Sequence, residues 1–469
     1  MKPLQHKIEP GALELGVRCF QLDDPARKRE IALEEEELAE RQPPQAPRER
    51  AVFIALLTPG KPRGERGDLV FQAGEALLGD ERLEIVTHLT DVGGELQGLL
   101  AVGVEVRLPP VGGHEGEHPG VQRPNATLRQ MALEHPWTEP PAPGDIIGVA
   151  PGIKWLRTPL PFDLNHINLW LLEDGPGWTV VDTGVGLDDT RALWEQIFAK
   201  HLDGRPVTRL VVTHFHPDHM GNAGWLTERW QAALWCAQAE WLYAQWAWRA
   251  REVADAEPRL AHYRRHGCGA ELLARLPRRM NPYPHLVPTL APAFHRILDG
   301  DVLVIGGRRW EVMTVYGHAP EHACLWNREG RVLISGDQVL PKITTNISVW
   351  PEQAMGNPLQ LYLDSLGRFR PIPAETLVLP SHGLPFRGLH ERLEQLRVHH
   401  DARLAEAVDA LVEPRTAAEV VPALFRRELD LMQLNFALGE TLAHLNYLEA
   451  DGRVVRLVGE DGVHRFLKA

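Results

Sequence analysis

Apolar positions along this chain change period from place to place, and the changes mark out its elements. From Gly152 onward, short apolar runs alternate with amphipathic stretches. Residues 167–173 and 178–182 read as two strands joined by a Gly-Pro-Gly turn at 175–177, since glycine and proline supply turn angles and β-branched and aromatic residues fill the flanks. Residues 190–200 carry apolar side chains at helical spacing, and 209–213 form a buried strand that leads into His214. Residues 223–294 read as a long, helical, tryptophan-rich stretch. Strands follow at 302–305, 310–315, 323–326, 332–335 and 377–379, and helices at 359–369 and 389–412. Thr416-Ala-Ala-Glu419 is a capping box, in which side chains at both ends satisfy backbone N–H groups, so a helix opens there. A second helix at 431–449 and two short strands at 454–458 and 463–467 complete the order of a winged helix.

Residues 1–130 show no such order. They hold an acidic run at 34–37, Pro- and Arg-rich stretches, and a Gly/His/Pro segment at 112–120. Such composition repays the entropy of ordering poorly. The expectation is a disordered extension, or a start assigned upstream of Met131; a small, weakly patterned domain is the alternative. The chain thus divides into residues 1–130, a central domain at 131–388 with a helical insertion at about 225–295, and a C-terminal winged-helix domain at 389–469.

Composition narrows the class. The 469 residues are 44% hydrophobic and 24% charged, as in soluble globular proteins, and no apolar run is long enough to span a bilayer. A net charge of −13 argues against duplex nucleic acid or an anionic membrane as partner. Cys19, Cys236, Cys268 and Cys324 are scattered without CxxC spacing, which predicts reduced thiols. With no basic-then-apolar signal at the start, a cytoplasmic protein is expected.

The chemistry gathers after the strand ending at Thr213. His214-Phe-His216-Pro-Asp218-His219 places four potential metal ligands within six residues. Alternate residues at a strand end point the same way, so His214 and His216 can converge on one ion, while the turn at Pro217 carries Asp218 and His219 toward a neighbouring position. His318, Asp337 and His382 each follow a strand, in Gly-His-Ala-Pro-Glu-His322, Ser-Gly-Asp and Ser-His-Gly. Loops beyond the ends of a rigid sheet are where folds present reactive groups.

Together with Val181-Asp182-Thr-Gly, these motifs resemble the metallo-β-lactamase superfamily over about residues 152–386. The resemblance implies an α/β fold, a four-layer αβ/βα sandwich with metals at one edge. It implies that His214, His216 and His318 hold one ion, that Asp218, His219 and His382 hold the other, and that Asp337 bridges them. Asp182 would orient ligands, and His322 would be supporting rather than coordinating. Nitrogen and oxygen donors suit two zinc ions, with iron or manganese as alternatives. Zinc lowers the pKa of bound water to about 7, so a metal-bridging hydroxide oriented by Asp218 is the expected nucleophile.

The substrate expected is a small acyl thioester or ester, as for hydroxyacylglutathione hydrolase. The alternatives are an endoribonuclease of the lactamase-beta-like type, to which the winged helix points, and a mononuclear iron persulfide dioxygenase. The would-be recognition helix at 431–449 carries Glu440, Glu449 and His444 but no Lys or Arg, the reverse of what phosphate contact needs. Packing on the catalytic domain or homodimerisation is therefore the favoured role of the appendage. The tryptophan-rich stretch, with Trp241 and Trp248 on one helical face, is expected to form a lid that favours an apolar substrate. Arg278 and Arg279 are candidates for gripping an anionic tail, and Lys342, Thr344, Thr345 and Asn346 for lining the pocket rim.

Overall fold

A computed structural model of the chain describes residues 133–162, 164–250, 257–275 and 282–469, together with the backbone of four upstream strands. Two compact units are present, Met1–Asn125 and Ala126–Ala469. In the first, β1 (Gly16–Cys19), β2 (Ala76–Gly79), β3 (Arg82–Thr90) and β4 (Leu96–Glu105) form an antiparallel sheet in the order β1-β4-β3-β2. The remainder of residues 1–130, on which the expectation of an extension or misplaced start rests, lies outside the described residues.

The second unit is built on two sheets. The larger contains β5 (Ile147–Ala150), β6 (Ile153–Pro159), β7 (His166–Asp174), β8 (Gly177–Val181), β9 (Val207–Val211), β10 (Ala233–Cys236) and β11 (His295–Arg296), adjacent in chain order. Pairing is antiparallel from β5 to β8 and parallel from β8 to β11. Parallel neighbours need crossovers. These are α1 (Asp188–His201), then α2 (Pro217–Met220) with α3 (Ala223–Trp230), then α4 (Gln238–Arg249), α5 (Glu257–Arg265), α6 (Ala270–Arg275) and α7 (Tyr283–Leu286). The smaller sheet runs β12 (Val302–Ile305), β13 (Arg308–Val315), β14 (His322–Asn327), β15 (Val332–Gly336) and β16 (Leu377–Pro380), with α8 (Pro358–Gly367) crossing between the parallel pair β15 and β16.

Three apolar cores define four layers. Trp155, Trp170, Val211, Trp310, Leu325 and Ile334 fill the space between the two sheets. Leu169, Trp178, Trp194, Leu210 and Leu226 pack the helices against the outer face of the larger sheet. Val315, Cys324, Leu333, Tyr362 and Val378 do the same for the smaller one. Strand β7 is buried on both faces from Ile167 to Leu172, which is why it reads as an apolar run broken at Asn168 alone rather than an alternating one.

The 225–295 stretch corrects the expectation of a purely helical insertion. Ala233–Cys236 is a strand, paired in parallel with β9, and so belongs to the main sheet. Four apolar residues between helices are too few for periodicity to distinguish a buried strand from a helical turn.

The C-terminal segment shares its core with the smaller sheet. It consists of α9 (Leu389–Asp409), α10 (Ala417–Leu424), α11 (Leu431–Ala450) and the hairpin β17 (Val454–Val458) and β18 (His464–Lys468). The capping box at Thr416 and Glu419 forms, and a second, Asp430 with Gln433, opens α11. Helix α11 is buried at Ala437, Leu438, Gly439 and Thr441–Asn446. Gly439 lets it approach the loop after Asp337: a Cβ there would lie 2.8 Å from Ser348 Cβ, and Gly439 O accepts from Val349 N–H at 3.0 Å. From Ala437 to Asn446, the helix that a winged helix would offer to a nucleic acid packs into its own protein.

Candidate metal centre

Strands of both sheets end at one edge of the sandwich. Asp182 follows β8, His214 follows β9, His318 follows β13, Asp337 follows β15 and His382 follows β16. Backbone bonds join the two sheets at this edge: Ala323 N–H donates to Thr213 O at 2.9 Å and Asn168 N–H to Ser381 O at 2.7 Å.

All seven residues singled out in the sequence come together there, in two groups. His214, His216, His318 and Asp337 form one, and Asp218, His219 and His382 the other; donor atoms within each lie within 4.8 Å of one another. His214 Nε2 is 2.9 Å from His216 Nδ1 and 3.2 Å from His318 Nε2. Four nitrogens about 2.0–2.1 Å from a tetrahedral zinc stand about 3.3 Å apart, so this spacing suits a shared cation. Hydrogen bonding accounts for it less well. His318 Nδ1 faces Asn346 O at 2.8 Å and must donate there, so in the neutral ring the lone pair is on Nε2, directed at His214 Nε2.

The second group follows the same logic. His219 Nδ1 donates to Asp182 Oδ2 at 2.8 Å, and its buried Nε2 has no hydrogen-bond partner but lies 3.6 Å from both Asp218 Oδ2 and Asp337 Oδ2. His382 Nδ1 donates to His166 O at 2.8 Å, leaving Nε2 3.5 Å from Asp218 Oδ2 and 3.3 Å from Asp337 Oδ1. Asp337 reaches both groups, for its Oδ2 is also 3.3 Å from His318 Nε2. Buried imidazole and carboxylate atoms without partners carry a desolvation cost that a cation removes. The donor set fits divalent metal.

The charges agree. Burial, helped by neighbouring imidazoles, holds His214 and His216 well below the usual histidine range, so both are neutral and able to coordinate. At His219 burial is outweighed by the carboxylates of Asp182, Asp218 and Asp337, which raise it well above that range. At His382 burial is likewise outweighed, chiefly by Asp337. Asp337 itself is held well below the usual carboxylate range, burial being overcome by His382 and His219.

Around the donors stands a layer of supports. Asp182, in left-handed backbone at φ 61°, accepts from Thr213 N–H at 2.8 Å as well as from His219. His322 Nε2 accepts from Asp337 N–H at 3.1 Å and its ring stacks on His214, a supporting place rather than a coordinating one. Gly336 makes room for it: at φ +54° a Cβ would sit 2.4 Å from His322 Cε1. Thr345, whose hydroxyl donates to Asp337 O, and Asn346, whose carbonyl fixes His318, brace the donors instead of forming a rim. Lys342 is exposed. Arg278 and Arg279 lie outside the described residues.

Two supports are not evident in the sequence pattern. Buried Asn168 accepts from Trp155 Nε1 and Arg157 Nε, both at 2.9 Å, and donates to Pro380 O and Gly383 O at 2.8 and 2.9 Å, tying β7 to the His382 loop. A lone amide inside an apolar strand was its only signal. Glu240, an acid inside the tryptophan-rich stretch, is fully buried against the loops of the first group. The same stretch covers Phe215: Tyr283 Oη donates to Phe215 O at 2.6 Å, and the Tyr243 ring stands 5.5 Å from the Phe215 ring. Trp241 stacks on Phe294 and is part of the packing, whereas Leu242 and Trp246 are half-exposed.

Comparison with known proteins agrees with this geometry. Residues 163–382 match the metallo-beta-lactamase superfamily model and residues 404–469 the metallo-beta-lactamase-like C-terminal domain. The chain is similar to a beta-lactamase domain protein of Burkholderia ambifaria of known structure, at 48% identity and a TM-score of 0.68, over 72% of this chain and 98% of the other. It is 25% identical to the probable metallo-hydrolase YqjP of Bacillus subtilis over 63% of this chain and 92% of that one. It is 31% identical to the acyl-coenzyme A thioesterase MBLAC2 of Gallus gallus over 40% of this chain and 63% of that one. Two sheets between helical layers, with a His/Asp cluster at their common edge and homology along most of the second unit, place this chain in the metallo-beta-lactamase superfamily.

Proposed function

We propose that this superfamily hydrolase cleaves an acyl thioester with two divalent cations, zinc in the first instance. His214, His216, His318 and Asp337 would hold one, and Asp218, His219 and His382 the other, with Asp337 shared. The observation that carries the reading is the convergence of buried donor atoms whose opposite ring nitrogens are already engaged by Asn346, Asp182 and His166. When bound, such ions supply Lewis acidity and bring the pKa of water to about 7.

The protein's own residues do the rest. Asp218, half-buried, faces the space between His219 and His382 and orients the attacking water. Phe215 stands beside His216, the Tyr243 ring beside Phe215 and the half-exposed Trp246 beside Tyr243, an apolar surface next to the first group that suits an acyl chain. A thiolate departs without a proton, because its pKa is near 8.5, and so needs no general acid. The likeness to a relative named as an acyl-coenzyme A thioesterase supports this substrate class. The buried, lysine- and arginine-free α11 weighs against single-stranded RNA.

The test is metal analysis of the purified protein together with a screen of acyl thioesters, lactones, phosphodiesters, single-stranded RNA and glutathione persulfide. Metal-dependent thioester cleavage is expected, lost in Asp218→Ala while the first group keeps its ion. One iron per chain with oxygen uptake on the persulfide would overturn hydrolysis.

A further inference from the structure

Glu240 stands on α4, which supplies none of the seven donors, and is fully buried. A carboxylate is costly to place there, and packing alone would be served by an apolar side chain. Both of its oxygens are used. Oε2 accepts from Phe215 N–H at 2.8 Å and Oε1 from Glu321 N–H at 2.5 Å. Phe215 lies between His214 and His216, beyond the last rung of β9, and Glu321 lies three residues after His318, just before β14. The two loops come from different sheets, and neither of these N–H groups has a strand partner. The contact is reciprocated: Glu321 Oε2 accepts from Ala239 N–H at 2.9 Å. Tyr283 holds Phe215 from its carbonyl side.

We propose that Glu240 is a positioning residue whose carboxylate clamps the backbones of the two loops carrying His214, His216 and His318, and thereby sets the spacing of the first donor group alone. The inference rests on reading those histidines as metal ligands. A clamp of this kind lets three imidazoles from two sheets meet a cation without rearranging, and it couples the tryptophan-rich segment to the centre it covers. Glu240→Gln preserves shape but turns an amide N–H₂ toward one of the two backbone N–H groups, so one loop loses its acceptor.

The experiment is a zinc titration of the full chain against a chromophoric chelator in two backgrounds. His382→Ala leaves the first group to be read, and His216→Ala leaves the second. Glu240→Gln is expected to weaken zinc binding about 10–100-fold in the first background and to leave the second unchanged. Equal loss in both, or none in either, overturns the clamp. Amide hydrogen exchange at Phe215 and Glu321 in metal-free protein gives a reading that needs no metal. Exchange at least about tenfold faster in Glu240→Gln is expected, and unchanged protection overturns the clamp even where the unsubstituted chain binds zinc. A chain that takes up no zinc refutes the metal reading, and the exchange experiment then decides the clamp by itself. Should Glu240→Gln not fold, Glu240→Asp keeps the charge but is one methylene too short to reach both N–H groups, so one loop again loses its acceptor. A several-fold loss in the first background supports the clamp, and parental affinity there refutes it.

Discussion

Replacing Asp182 by Asn tests how the second group is held. Its left-handed backbone, at φ 61°, is tolerated by Asn as by Asp, so the fold is not strained by the change. Three donor groups converge on the carboxylate: Thr213 N–H at 2.8 Å, the Thr213 hydroxyl at 2.9 Å and His219 Nδ1–H at 2.8 Å. An Asn keeps one acceptor oxygen, and the backbone and hydroxyl of Thr213 compete for it. Its N–H₂ then donates to His219 Nδ1, which shifts the ring proton to Nε2, the atom that must be bare to coordinate. The charge-assisted bond lost is worth about 1.5–3 kcal/mol, a factor of about 10–150 in affinity. The assay is zinc competition in the His216→Ala background, where the Asp218, His219 and His382 group is the one left intact. Affinity within about threefold of the parent would refute the reasoning, as would an equal loss in the His382→Ala background, because Asp182 contacts His219 and not the first group.

Three other outcomes follow from the same geometry. Gly336→Ala adds a Cβ 2.4 Å from His322 Cε1 at φ +54°; left-handed strain of about 1–2 kcal/mol and overpacking of about 1–3 kcal/mol give a loss of about 2–5 kcal/mol, read by urea unfolding. Gly439→Val forces α11 away from Ser348 and Val349, and is expected to lower zinc affinity through the Asn346 carbonyl on His318, with overall helix content by circular dichroism preserved. Burial depresses His262 and His444 to about 4 and His266 and His400 to about 3. The unfolded chain therefore takes up protons at these positions from about pH 6.5 downward while the folded chain does not. Their stabilising contribution is complete above about pH 6.5 and is lost as pH falls toward 3–4, at about 1.4 kcal/mol per pH unit for each group. A melting temperature constant between pH 7 and 5 in chelated protein would refute it, and His400→Asn should flatten the fall.

The sequence by itself determined what is local. Four of the seven donors lie within six residues, so a strand's alternation and one proline turn are enough to bring them near each other. Strands 167–173, 302–305 and 332–335 and the capping box at Thr416 were legible because their periods and caps complete themselves within a few residues. Tertiary structure alone decided the rest. The pairing of His318 with His214 spans 104 residues and that of His382 with Asp218 spans 164, and no periodicity encodes such a distance. Strand β10 was hidden because a four-residue apolar run becomes a strand only when β9 offers it an edge. Nothing local singles out Glu240; its role exists only because two loops, 25 and 81 residues away in the chain, turn their N–H groups toward it. The fate of α11 was likewise settled by packing, since its apolar content fits a recognition helix or a buried one equally well until a neighbouring sheet removes it from water.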